Sequence, residues 1–225
     1  MELIIRGHRW TSKKLIFSIL WGIGFMMVGL VINYFAGRYA SAHVSNPVND
    51  LILDNIPTID VEGIFIYGII VFFIFVIGLL TLRPRRMPFV LKSFSLFLVI
   101  RSFFIILTRV APSMQQAPMN GNSFIFNTFT FTGDLFFSGH TGLPFLMALV
   151  FWDEKALRWL FLATAVFFGT IVLLGHYHYS IDVFAAFFIT YGVYKISERF
   201  FSKDYHLFNS VHKGSKNNVE DAPND

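Results

Sequence analysis

Residues 133–141 read Gly-Asp-Leu-Phe-Phe-Ser-Gly-His-Thr, and residues 176–182 read His-Tyr-His-Tyr-Ser-Ile-Asp. The segment between them, residues 142–175, is mostly apolar. A bilayer core takes about 20 apolar residues per helix, so this run accounts for one crossing and its return. His140, His178 and Asp182 thus stand at the ends of segments that read as membrane spans. An ionisable group in such a place is costly and marks a functional site.

Working outward, the rest of the chain has the same character. Of 225 residues, 55% are hydrophobic and only 14% charged, with 29 Phe. Soluble domains carry about 25% charged residues. The mean hydropathy of +0.59 agrees. The composition predicts an integral membrane protein of one domain. The net charge of +4 reflects Lys and Arg lying between spans rather than on one face, so no nucleic-acid partner is expected. There is no cysteine, which excludes a disulfide or thiolate metal site. The first apolar run starts after Lys14 and is too long for a cleavable signal.

Six stretches have the length of a span: Leu15–Ala36, Gly63–Leu82, Phe89–Val110, Leu135–Trp152, Ala156–Leu174 and Tyr179–Ile196. Basic residues lie before the first (Arg6, Arg9, Lys13, Lys14), after the second (Arg83, Arg85, Arg86), after the fourth (Lys155, Arg158) and after the sixth (Lys195, Arg199, Lys203). The positive-inside rule then puts both termini in the cytoplasm. The expected fold is an all-α, six-span transmembrane bundle with its active site at the outer leaflet face. Residues 1–14 form a cytoplasmic segment, 15–200 the catalytic domain and 201–225 a polar, disordered tail. Leu51–Ile59 is expected to form a short interfacial helix, and Ala111–Thr132 a lid.

The candidate chemistry follows from residue types. His178 and Asp182 are four apart, which on a helix places them one turn apart on one face. A carboxylate beside an imidazole fixes its tautomer and leaves the other nitrogen as base or nucleophile. The bland alternative is a buried polar pair. Ser138 and Gly139 precede His140, where a helix start would favour an anion and a His can protonate a leaving oxygen. A capping Ser in an ordinary turn is the rival reading. Arg101, inside span three, suits bidentate phosphate binding, or a salt bridge to Asp134 or Asp182. Asp134 is either a helix N-cap or a group that orients a His or a head-group cation. His176 is an interfacial structural residue or a substrate contact. A divalent metal on this His/Asp set is the rival chemistry, but no His-Glu-x-x-His pattern is present.

The two stretches resemble the third and fourth motifs of sphingomyelin synthases, within the type 2 phosphatidic acid phosphatase superfamily. Thr132-Gly133-Asp134 is followed after three residues by Ser138-Gly139-His140-Thr141. His176-Tyr177-His178-Tyr179-Ser180-Ile181-Asp182-Val183 is followed by Ile189-Thr190. Arg101 with Thr108-Arg109-Val110-Ala111-Pro112 is similar to the family's Arg-containing segment, so the resemblance covers about Arg101 to Tyr194. It implies that His178 attacks phosphorus, Asp182 orients it, and His140 protonates the leaving alcohol. No metal or other cofactor is implied. Three departures stand out. Thr132 replaces a Cys. Val76 stands where the phosphatases' Lys-x6-Arg-Pro would put its Lys ahead of Arg83-Pro84. Ile171 and Val172 stand where those enzymes have Ser-Arg. These basic groups bind a dianionic phosphate, so their absence implies a phosphodiester donor.

The leading expectation is therefore a phosphotransferase moving a phospho-head group from a glycerophospholipid to ceramide or diacylglycerol. The alternatives are a lipid phosphatase or phospholipase C-like hydrolase using water, and a non-enzymatic transporter or scaffold. The expected partners are membrane lipids, with a homo-oligomer left open. The membrane would be a bacterial inner membrane or a eukaryotic Golgi or plasma membrane, according to source.

Overall fold

A computed structural model describes residues 3–5, 8–10, 12–118 and 136–209. Strands β1 (Leu3–Ile5) and β2 (His8–Trp10) pair antiparallel, Ile4 opposite Arg9, a hairpin that the all-α expectation lacked. The principal helices among the described residues are α1 (Ser12–Ala42), α2 (Glu62–Thr81), α3 (Met87–Thr108), α4 (Gly139–Val150), α5 (Lys155–Leu174) and α6 (Ser180–Phe200).

Among the described residues, four helical stretches are long and apolar enough to cross a membrane: Ser12–Ala42, Glu62–Thr81, Pro84–Thr108 and Lys155–Leu174. The exposed side chains of α1 include Phe17, Trp21, Phe25, Val28 and Phe35. Water would penalise such a face, whereas hydrocarbon is its natural solvent. The chain is an integral membrane protein. Within the fourth expected span, Leu135–Trp152, the described residues are helical over Gly139–Val150, about 18 Å at about 1.5 Å per residue, and a bilayer core is about 30 Å. The extended backbone of Ser138 starts that helix late. Helix α6 has the length, but Asp182, Lys195, Glu198 and Arg199 dilute its apolar character.

Small residues decide the packing. Ser18, Gly22, Gly29, Ala36, Gly37 and Ala40 form the buried stripe of α1. A Cβ at Gly29 would stand 3.0 Å from Ser95 Oγ, so α1 and α3 approach almost backbone to backbone. Helix α4 lies in the middle, packed on α5 and α6, and residues 146–150 are all buried. A Cβ at Gly142 would meet the Phe97 ring at 2.7 Å and Thr190 Oγ1 at 2.9 Å. That glycine lets α4 sink between α3 and α6.

One end of the bundle gathers the basic turns. Arg83 and Arg86 both pair with Glu154 there. Lys92 donates to Asp204 at 2.6 Å, and Ser18 donates to the same carboxylate at 2.7 Å. Residues 202–209 are helical, with Leu207 and Phe208 buried. The expected disordered tail from residue 201 is thus corrected: this part holds Asp204 against a buried lysine and two apolar side chains in the core.

At the other end the connections knit together. Ser45 N donates to Arg109 O at 2.9 Å, Ile59 N to Leu174 O at 2.8 Å and Ala117 N to Gly175 O at 3.0 Å. The expected interfacial helix is a single 3-10 turn, Leu53–Asn55. Of the expected lid, residues 119–132 lie outside the described residues.

Candidate active site

The N-termini of α4 and α6 meet at the knitted end. Ser138 caps α4, its Oγ accepting from Thr141 N at 3.4 Å. Ser138 N in turn donates to Asp182 O at 3.1 Å, a main-chain bond joining the starts of the two helices. Gly139 and His140 open the first turn of α4.

His178 lies in the turn before α6, with Nδ1 3.6 Å from Asp182 Oδ2. Both side chains are buried. The four-residue spacing was expected to act within a helix. Instead the helix begins at Ser180, and Asp182 reaches back as a capping group, its Oδ2 accepting from Tyr179 N at 2.9 Å. One carboxylate therefore terminates the helix and sits beside the imidazole.

Arg101, buried on α3, points at the start of α4. Its Nε donates to Phe137 O at 3.0 Å and one terminal nitrogen lies 3.4 Å from Asn33 Oδ1. A Cβ on Gly139 would stand 3.6 Å from that Nε. The guanidinium is thus laid against the first residue of α4. The contacts thus join Ser138 to Asp182, Asp182 to His178 and Arg101 to Gly139, with His140 the next residue of α4. Asp134 lies outside the described residues.

His140 is half-buried. Its Nε2 is 3.1 Å from Phe65 O, and the Phe65 ring stacks on the imidazole at 4.0 Å and 22°. Tyr177 packs on the same ring at 4.7 Å. Burial, with the charges of Asp60 and Glu62, pushes the Tyr177 phenol up to about 12, so it stays neutral. His176 is fully buried with φ of 53°, a left-handed conformation rare outside glycine, and neither ring nitrogen has a hydrogen-bond partner among the described residues.

Three residues escaped the sequence reading. Asn33 is a lone amide in an apolar span and could have been flagged for that reason. Phe65 carried no signal among 29 Phe. Asp50 is the third. Its Oδ2 accepts from Ser180 N at 2.7 Å and Ser180 Oγ at 2.8 Å, while Oδ1 accepts from Ile52 N at 2.9 Å and Leu53 N at 3.1 Å. Burial raises this carboxyl, but the four bonds outweigh it and hold it below the ordinary aspartate value. Asp50 thus ties the first loop to the start of α6. Tyr179 adds a second tie, donating to Ala111 O at 2.9 Å and accepting from Val48 N at 3.3 Å.

No curated protein and no solved structure gives a significant match to the chain. The family model PAP2 superfamily C-terminal matches residues 132–199, the segment that carries both histidines and Asp182, and this supports the PAP2 superfamily.

Proposed function

We propose that the protein is a membrane-embedded phospholipid phosphotransferase. It moves a phospho-head group from a glycerophospholipid to a lipid alcohol such as ceramide or diacylglycerol. The observation that carries this reading is the pairing of His178 with Asp182 at the main-chain junction that also holds His140. The negative charge of Asp182, 3.6 Å away, favours the proton on His178 Nδ1, so Nε2 presents its lone pair to phosphorus. A P–N bond forms, the bond from phosphorus to the leaving oxygen breaks, and His140 gives that oxygen a proton. His140 then takes the proton of the acceptor hydroxyl, whose oxygen displaces His178 from phosphorus. Arg101 and the N-terminal end of α4 offset charge on the phosphoryl oxygens. The Nε2 of His140 must leave the Phe65 carbonyl to act, so the first turn of α2 yields when substrate binds.

The phosphodiester preference has support from the far end of the molecule. Arg83 is bound to Glu154 at 2.6 Å, away from the histidines, and Ile171 and Val172 are buried apolar residues. Arg101 is therefore the basic side chain set beside α4, suited to a singly charged diester. The same reading takes α4 and α6 as the fourth and sixth crossings, both termini as cytoplasmic and the site as facing the outer leaflet.

Purified protein in detergent, given labelled phosphatidylcholine or phosphatidylethanolamine with ceramide or diacylglycerol, should make a new head-group lipid. His178→Ala should reduce this to background, and activity surviving that change would overturn the mechanism. The family match also admits a hydrolase. Release of inorganic phosphate from phosphatidic acid, without transfer to the lipid alcohol, would select it.

A further inference from the structure

A groove of about 670 Å³ runs between α2 and α5. Gly63, Tyr67 and Phe75 stand along one wall, and Leu160, Thr164 and Phe168 along the other. The lining is apolar, and the Thr164 hydroxyl is already bonded to Leu160 O at 2.8 Å. Such a volume lies within the range of about 300–1,000 Å³ that small-molecule sites occupy.

Three features say what fills it. Both walls are helices long and apolar enough to cross a membrane, so the opening faces lipid. From Gly63 to Phe75, α2 rises about 18 Å at about 1.5 Å per residue, close to the depth of one leaflet of an about 30 Å core. The groove starts at the end of the bundle that holds the histidines. There Phe168 lies 5.8 Å from His140, ring to ring, and Phe65, within a turn of Gly63, stacks on the same imidazole. A chain lying in the groove therefore has its polar end at His140 and its methyl end at mid-membrane.

We propose that this groove seats one acyl chain of a membrane lipid and so presents the lipid's phosphate to the site. The phosphate's fate rests on the function proposed above, while chain seating does not. Separate tests are therefore available. Phosphatidylcholine with a photoreactive diazirine near the end of one acyl chain is incorporated into nanodiscs holding the inactive His178→Ala protein. Irradiation should label the α2 and α5 peptides around Phe75 and Leu160 several-fold more, per exposed residue, than the lipid-facing side of α1 around Trp21 and Val28. Thr164→Trp, at a half-exposed position, should remove that excess, and Val71→Trp on the facing wall should do the same if the first variant is poorly folded. Labelling spread evenly over α1, α2 and α5, or unaltered by both substitutions, would overturn the proposal. Groove labelling in the His178→Ala protein, together with a wild type that transfers no head group from phosphatidylcholine or phosphatidylethanolamine, would overturn the phosphotransferase reading alone.

Discussion

Replacing Asp50 removes a group that the structure uses twice. Its two oxygens accept four hydrogen bonds, two at the 3-10 turn and two from Ser180 at the start of α6. A side-chain bond to the amides that open a helical turn contributes about 1 kcal/mol, and a hydrogen bond to a charged group about 1.5–3 kcal/mol. Burial of the carboxylate opposes these gains. Asp50→Ala is therefore expected to cost about 2–4 kcal/mol, and Asp50→Asn, which keeps one acceptor oxygen, about 1–2 kcal/mol. At about 2–4 °C per kcal/mol for a chain of this size, Asp50→Ala should unfold about 5–15 °C lower in detergent. The pH dependence gives a second handle. A carboxyl whose folded pKa lies below its unfolded value stabilises fully above about 3.8, and that stability is lost as pH falls through the folded value. The wild type should thus lose stability in that acid window, and Asp50→Asn should lose less. Since Asp50 anchors α6 without touching the imidazole, turnover should fall, by about tenfold, with substrate affinity nearly unchanged. Thermal scans from neutral pH down to about pH 3 test the first two expectations. An Asp50→Ala protein melting within about 1 °C of wild type would refute the tether.

Two further changes test the packing. Gly142→Ala would press a methyl against Phe97 and Thr190, and should cost about 1–3 kcal/mol in thermal stability while leaving every polar group of the site in place. Lys92→Met leaves Asp204 buried without its cation and should cost about 3–5 kcal/mol, whereas Lys92→Met with Asp204→Leu should recover most of that loss. A double variant no more stable than the single one in the same melting assay would contradict this account.

The spans were legible because an apolar run of membrane length has few other uses. Glu62–Thr81 and Lys155–Leu174 lie within a residue of the stretches read from hydropathy. Helix α4 was overestimated because residues before Ser138 are as apolar as those after it, and only the Ser-Gly pair marks where coiling starts. The His178–Asp182 pair was visible through its spacing, although the geometry that unites the two is a cap rather than a helix face. Asp50 was illegible for a different reason. Its partner Ser180 lies 130 positions along the chain, and no local pattern reports a contact made by folding. The helix over 202–209 was hidden by its polar surroundings, since a buried Lys92 has to be known before Asp204 gains a purpose.

The bond from Ser138 N to Asp182 O joins two main-chain groups. No exchange of side chain can erase either partner, except proline at 138, which lacks the amide. Loss of His140, His178 or Asp182 therefore leaves this strut between the two halves standing. Variants at His140 and His178 leave this strut and the α6 cap intact, variants at Asp182 keep the strut but lose the cap, and Ser138→Pro removes the strut itself.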